Sequence, residues 1–157
     1  MRSTSLGSPP DRSWRGLDGY EARARTQACG APQARQRLAQ ARSYLDVAAL
    51  TADENDPNLE YAGVAASVAI LAGIAAADAA CCQALGRRSR SDNHHDAEIL
   101  LAEITPGGKK AAGQLRQLID IKDTAHYGFI SVTAAQLKRA LRQAQHLIDF
   151  AGQMQLR

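Results

Sequence analysis

Apolar residues recur every three to four positions along most of the chain beyond residue 32, which is the spacing of one buried face of an amphipathic α-helix. No stretch alternates between apolar and polar residues as a half-buried strand does. The pattern therefore predicts an all-α, single-domain bundle of about five helices. The predicted helices span residues 33–52, 57–85, 94–104, 109–127 and 134–153.

Capping residues mark the predicted starts of three helices. Asp56 offers an N-cap acceptor, and Pro57 after it lacks an N–H that the first helical position does not need. Asn93 is an N-cap candidate for the short third helix. Thr133 with Gln136 forms a capping box ahead of the last helix.

The segment from residue 59 to 85 is apolar on nearly every side and has alanine at every turn. A membrane span needs about 20 apolar residues, but Asp78 would then lie in the hydrocarbon at a large cost. We therefore predict a central helix buried by its neighbours, and no membrane contact. The carboxylate of Asp78 needs a partner there. Lys122 or His126 would complete a polar cluster, and the alternative is a salt bridge to another Arg or Lys without a function.

Lys122 and His126 interrupt the apolar face of the fourth helix. Leu115 and Ile119 precede them on the same side at helical spacing, so a cation and an imidazole stand where two more apolar residues would be expected. Either the pair belongs to a functional site, or the helix dipole favours the histidine and the lysine stem lies on apolar surface.

Other polar groups give weaker signals. Arg87, Arg88 and Arg90 lie in a predicted basic loop that either holds phosphate or is simply solvated. His94 and His95 point in different directions and no His or Cys follows at i+4, so no metal site is predicted. The motifs GxGxxG, GxxxxGK[ST], HExxH and GxSxG are absent from the sequence, and no cofactor is expected.

The composition fits a small helical protein. Of 157 residues, 45% are hydrophobic and only 4% aromatic, so the core is built from Ala, Leu, Ile and Val. The net charge of +3 permits contact with nucleic acid without indicating it. Cys81 and Cys82 are poor partners for each other, and small core residues in a reducing compartment are expected. No secretory segment is visible, so a cytoplasmic location is expected.

Composition also divides the chain. Residues 1–32 are rich in Ser, Gly, Pro and Arg without a sustained apolar period, which predicts a flexible N-terminal extension. The helical domain is predicted over residues 33–153. Residues 154–157 are predicted to form a C-terminal tail.

The order of these features resembles a HEPN domain over about residues 33–153. The resemblance rests on a first helix with an Arg-rich outer face (Arg35, Arg37 and Arg42), the segment LAGIAAAD (71–78), the loop at His94 and the segment KDTAHY (122–127) before a final amphipathic helix. The family's active segment has an arginine and, after about four to six residues, a histidine. His126 stands at the histidine position, whereas Lys122 is separated from it by three residues. The segment is similar to the family branch that carries Arg-x-x-Ala-Asp-Tyr.

The resemblance implies a homodimer in which two copies of the polar segment meet. Many members are metal-independent ribonucleases in toxin–antitoxin or phage-defence modules, often beside a small nucleotidyltransferase. In such an enzyme His126 would transfer protons, Lys122 would stabilise the charge on the phosphorane and Tyr127 would orient the phosphate or base. Supporting positions are Asp78 and Asp123, and RNA phosphate would contact Arg87, Arg88 and Arg90.

A different class of function stays open. A non-catalytic helical antitoxin or scaffold would use Lys122, Asp123 and His126 to hold the dimer together. Its partner would be another protein of the module, such as a nucleotidyltransferase.

Overall fold

The computed structural model describes residues 25–52, 56–127 and 131–157, with side chains for all of these except residues 124–127. This part of the chain contains a two-stranded antiparallel sheet of β1 (Thr26–Ala28) and β2 (Arg87–Ser89). The predicted all-α bundle is confirmed. Its helices are α1 (Ala31–Thr51), α2 (Ala62–Leu85), α3 (His94–Ala102), α4 (Gly108–Tyr127) and α5 (Ala134–Gln155).

Helix α2 is the central helix and packs against α1, α4 and α5. Gly73 of α2 faces Leu118 of α4 and Leu147 of α5, and an added Cβ would overlap the Leu118 side chain. Small residues on α2 thus let the neighbouring helices approach closely, so that their leucines fill the space between the backbones. The alanines buried in this way include Ala65, Ala69, Ala72 and Ala76.

Among the described helices, α2 is also the one that is long and apolar enough to cross a membrane by length and composition alone. In the structure, 72% of the most apolar 18-residue stretch of α2 is buried inside the bundle. This burial is the environment that the sequence predicts for a central helix.

Two of the three predicted helix starts are confirmed. Asn93 Oδ1 accepts a hydrogen bond from the backbone N–H of His95 at 3.1 Å. The Thr133 hydroxyl accepts from the N–H of Gln136 at 3.1 Å, and the Gln136 side chain accepts from the N–H of Thr133 at 2.9 Å. Both caps satisfy backbone donors that the first helical turn leaves without a partner.

The predicted start of α2 at Asp56 and Pro57 is wrong, because α2 begins at Ala62. The Asp56 carboxylate accepts hydrogen bonds from the N–H of Asn58 at 3.3 Å and of Tyr61 at 3.1 Å. A side chain of this kind can stabilise a turn as well as a helix start. Here it folds the chain into a turn ahead of the helix.

Part of the predicted N-terminal extension belongs to the folded domain. Strand β1 pairs with β2, and a disulfide joins Cys29 to Cys82 of α2. The expectation that Cys82 is a reduced core residue is therefore wrong, whereas Cys81 is free and buried as expected. Residues 1–24 of the predicted extension lie outside the described residues.

The C-terminal boundary also shifts. Helix α5 continues to Gln155, and Met154, placed in the predicted tail, is buried. A helix end seldom follows from sequence to within two residues, and apolar packing at Met154 extends this one.

Candidate functional site

A buried ion-pair cluster forms around Asp78 of α2, whose side chain is only 9% exposed. Arg37 of α1 donates to Asp78 Oδ2 from Nε at 3.1 Å and from Nη2 at 3.0 Å. Arg88 of β2 donates to the same oxygen from Nη1 at 3.5 Å. Two arginines bind Asp78, so the alternative of a salt bridge to Arg is the one observed, and Lys122 is not among the partners; the side chain of His126 lies outside the described residues.

The two guanidinium groups act against the effect of burial on Asp78. Burial raises the pKa of this carboxyl above its ordinary value, and the charges and hydrogen bonds of Arg37 and Arg88 oppose that increase. Two guanidinium charges around one carboxylate leave a net positive charge at this point. That excess makes the cluster attractive to an anion.

Lys122 of α4 contacts a histidine instead of Asp78. Its Nζ donates to His94 Nε2 at 3.0 Å, since an ammonium group can only donate. Burial and the nearby Lys122 charge lower the pKa of His94, whereas Asp78, Asp92 and Asp123 act to raise it. His94 is therefore a neutral imidazole near pH 7, with its Nε2 lone pair directed at a cation.

The structure brings some of the predicted site residues together and places others apart. Asp78 and Arg88 are in contact, and the Asp78 and Asp123 charges both act on His94 beside Lys122. Arg87 is bound to Glu103 at 2.7 Å, and Arg90 is exposed. Arg87 and Arg88 lie in strand β2, and Arg90 follows it, where the sequence predicted a basic loop. The side chains of His126 and Tyr127 lie outside the described residues.

Arg37, which the sequence places on the Arg-rich outer face of the first helix, lies against Asp78 instead, and His94 is predicted only as part of the helix start. A signal for Arg37 was present, because it lies three residues after the buried Ala34 and four before the buried Ala41. That spacing places it on the buried face of α1. The contact of His94 with Lys122 spans 28 residues and has no local signal.

A second buried carboxylate, Glu98 of α3, has a separate set of partners. Arg116 of α4 donates from Nε to Glu98 Oε2 at 3.1 Å, and His95 Nδ1 lies 3.5 Å from the same oxygen. This cluster ties α3 to α4. It engages Arg116, which lies ten residues upstream of His126 on α4. Among the described residues, no group of three or more His, Cys, Asp and Glu side chains is placed to hold a metal ion.

Comparison with known proteins adds no family assignment. The chain matches no protein-family model, and no curated protein is significantly similar to it in sequence.

Proposed function

We propose that this chain is a HEPN-like component of a toxin–antitoxin or phage-defence module that binds RNA and cleaves it as a homodimer without a metal ion. The contact between Lys122 Nζ and His94 Nε2 carries the proposal. The contact joins the imidazole of His94 on α3 to the ammonium group of Lys122 on α4. Lys122 lies one helical turn before His126. Cleavage of a phosphodiester requires one group that transfers a proton and another that stabilises negative charge, and an imidazole and an ammonium group can fill these two roles.

Cleavage begins when a base removes the proton of the RNA 2′-hydroxyl. The 2′-oxygen attacks the adjacent phosphorus, and the bond from phosphorus to the 5′-oxygen breaks as that oxygen takes up a proton. The products are a 2′,3′-cyclic phosphate and a 5′-hydroxyl. His94 suits the role of base because its lowered pKa keeps it neutral near pH 7, and its Nε2 becomes free to take the proton when the Lys122 ammonium turns from it to the phosphate. His126 suits the role of acid.

The other residues of the cluster would support these steps. Lys122 stabilises the charge that develops on the phosphorane, and Tyr127 orients the phosphate or base. The carboxylates of Asp78 and Asp123 favour the protonated form of His94, which exists after it has taken the proton.

Binding of RNA and of a second copy rests on the surface. The exposed Arg90 is available for an RNA phosphate, while Arg88 remains partly accessible beside Asp78. A homodimer is supported by three exposed apolar side chains of Tyr61, Val64 and Leu71. Tyr61 immediately precedes α2, Val64 follows it by three residues and Leu71 follows Val64 by seven, so the three side chains lie on one face of this helix.

The test is an RNA cleavage assay with the purified protein in the presence of EDTA. We expect His94→Gln, Lys122→Met and His126→Ala each to lose roughly a hundredfold or more in cleavage rate. His146→Gln, a change to an exposed histidine of α5, is the matched control and should keep full activity. Far-UV circular dichroism checks that every variant is folded. Absence of cleavage by the wild-type protein, or full activity in the three variants, would contradict the enzymatic proposal.

A non-catalytic helical antitoxin or scaffold is the second candidate. It is favoured because Asp78, Arg37 and Arg88 bind one another within one chain, as in a structural ion-pair cluster. In that case the wild-type protein should bind a partner encoded beside it, such as a nucleotidyltransferase, in size-exclusion chromatography and should leave RNA intact. Cleavage of RNA that depends on His126 would exclude this function as the sole one.

A further inference from the structure

A cleft of about 560 Å³ opens beside the disulfide, where β1, the start of α1 and β2 meet. Its volume is within the range of small-molecule sites, roughly 300–1,000 Å³. Cys29 and Cys82 form part of its wall, and the polar side chains lining it are Gln27, Gln33, Gln36, Arg37, Gln40 and Arg88.

The charge of this cleft favours an anion. Arg37 and Arg88 share a single carboxylate oxygen, Asp78 Oδ2, so one positive charge is in excess. The remaining polar lining consists of neutral amides, and no Asp or Glu is among the described residues that line the cleft. Helix α1 begins here without an acidic residue in its first turn, so the positive end of its dipole adds to the attraction.

The two guanidinium groups are fixed in place yet keep donors for a ligand. Arg37 uses Nε and Nη2 on Asp78 and Nη1 on Gln40, and Arg88 uses Nη1 on Asp78 and Nη2 on Gln27. A guanidinium has five N–H donors, so each side chain has more donors than these contacts employ. The side chains are 31% and 36% exposed. Preoriented arginines of this kind suit the paired oxygens of a phosphate.

The amides add donors around the arginines. Gln27 and Gln33 both accept protein hydrogen bonds through Oε1. Their NH₂ groups are donors of the kind that bind hydroxyl and phosphate oxygens. A lining of two arginines and four amides matches a ligand that combines a phosphate with a hydrogen-bonding sugar or base.

We propose that this cleft binds the phosphate group of a nucleotide, either free or within an RNA strand. Asp78 orients both arginines, and the glutamines contact the sugar or base. The cleft shares Arg88 and its partner Asp78 with the proposed RNA site, but phosphate binding here does not require cleavage by His94, Lys122 and His126, so its test needs no catalytic turnover.

The experiment is isothermal titration calorimetry of the full chain at roughly 50 mM salt, where phosphate contacts are strong. The probes are AMP, adenosine and a nonhydrolysable 2′-O-methyl RNA of about 12 nucleotides. Gln36→Glu adds a negative charge to the lining without removing a partner of Asp78, and its matched control is Gln153→Glu on α5, which does not line this cleft. Arg88→Gln, with the exposed Arg35→Gln of α1 as its control, removes one donor group.

We expect a phosphate-bearing probe to bind and adenosine not to bind. Gln36→Glu and Arg88→Gln should each weaken that binding about tenfold or more, and both controls should bind as the wild type does. Binding of AMP identifies a free nucleotide as the source of the phosphate, whereas binding of the oligonucleotide alone identifies an RNA strand. Equal binding of AMP and adenosine, no binding of either phosphate probe, or unchanged binding by Gln36→Glu would overturn the proposal.

Discussion

At the scale of single residues, the polar cluster depends on how one buried acid finds its partners. The sequence shows that Asp78 stands on an apolar helix and needs a counter-charge, but it offers 19 lysines and arginines to choose from. Arg37 fills the role because the buried face of α1 meets α2 at that level. Lys122, left without this acid, lies against His94, where a positive charge favours the neutral imidazole.

His94 gives the first prediction, which concerns pH. In the folded protein the pKa of His94 lies below the 6.5 of an ordinary histidine, chiefly because of burial and then because of Lys122. Between these two values the unfolded chain binds a proton that the folded chain does not bind. The stabilising contribution is therefore present above about pH 6.5 and is lost as the pH falls toward the folded pKa.

Thermal melting at several values from about pH 7.5 down to about pH 5 measures this effect. The melting temperature of His94→Gln should fall less steeply with decreasing pH than that of the wild type. His146→Gln, which changes an exposed histidine of α5, should follow the wild type. The same slope in His94→Gln and wild type would show that His94 does not couple folding to protonation.

At the scale of the elements, some helix starts can be predicted from neighbouring residues and others cannot. The capping box at Thr133 was predictable because both of its hydrogen bonds join residues three apart. The start of α2 was not, because Asp56 can cap a helix or stabilise a turn and only the surrounding chain selects between them. The glycines of α4 are a second case that local sequence does not resolve, because the sequence does not show whether other atoms pack against a given glycine.

Gly108 and Gly113 of α4 give the second prediction. An added Cβ at Gly108 would overlap the Leu101 carbonyl oxygen and lie 3.1 Å from Ile104 Cβ, whereas one at Gly113 would meet nothing within 4 Å. Gly108→Ala should therefore destabilise the protein by about 1–3 kcal/mol. Gly113→Ala should stabilise it by about 0.5–1 kcal/mol, because alanine restricts the unfolded chain and favours the helix.

Urea denaturation of the two variants checks the opposite signs. The pair is internally matched, since both changes add one methyl group to the same helix. A destabilising Gly113→Ala, or a neutral Gly108→Ala, would show that packing around α4 differs from this description.

At the scale of the whole molecule, the sheet and the disulfide attach the start of the folded chain to its central helix. Cys29 and Cys82 are 53 residues apart in sequence, with Cα atoms 5.2 Å apart. Strand β1 carries Gln27, which contacts Arg88 of β2, so the same attachment shapes the cleft described above. The helical part of this arrangement was predicted from periodicity, but the attachment was not, because each strand has only three residues.

The disulfide gives the third prediction. A cross-link that closes a loop of this length restricts the unfolded chain and contributes about 2–4 kcal/mol to stability. Cys29→Ser and Cys82→Ser should each lower the melting temperature of the oxidised protein. Dithiothreitol should lower that of the wild type toward the same value and leave the double variant Cys29→Ser with Cys82→Ser unchanged.

Differential scanning calorimetry with and without reductant provides the measurement. Cys81→Ala is the control, because this buried thiol, whose pKa burial raises to about 12, takes no part in the cross-link. It should keep the response to dithiothreitol. A wild-type melting temperature that ignores the reductant would rule out a stabilising cross-link.

Local patterns in the sequence predicted the helical class, the approximate helix spans, the buried central helix and the caps at Asn93 and Thr133. Each of these follows from interactions between residues a few positions apart, which a periodic pattern displays directly. The partners of Asp78, Lys122 and Cys29 became known from the folded arrangement of the helices, because Arg37, His94 and Cys82 lie 41, 28 and 53 residues away from them in sequence. Such pairings depend on how whole helices pack and at what level they cross, and no local pattern contains that information.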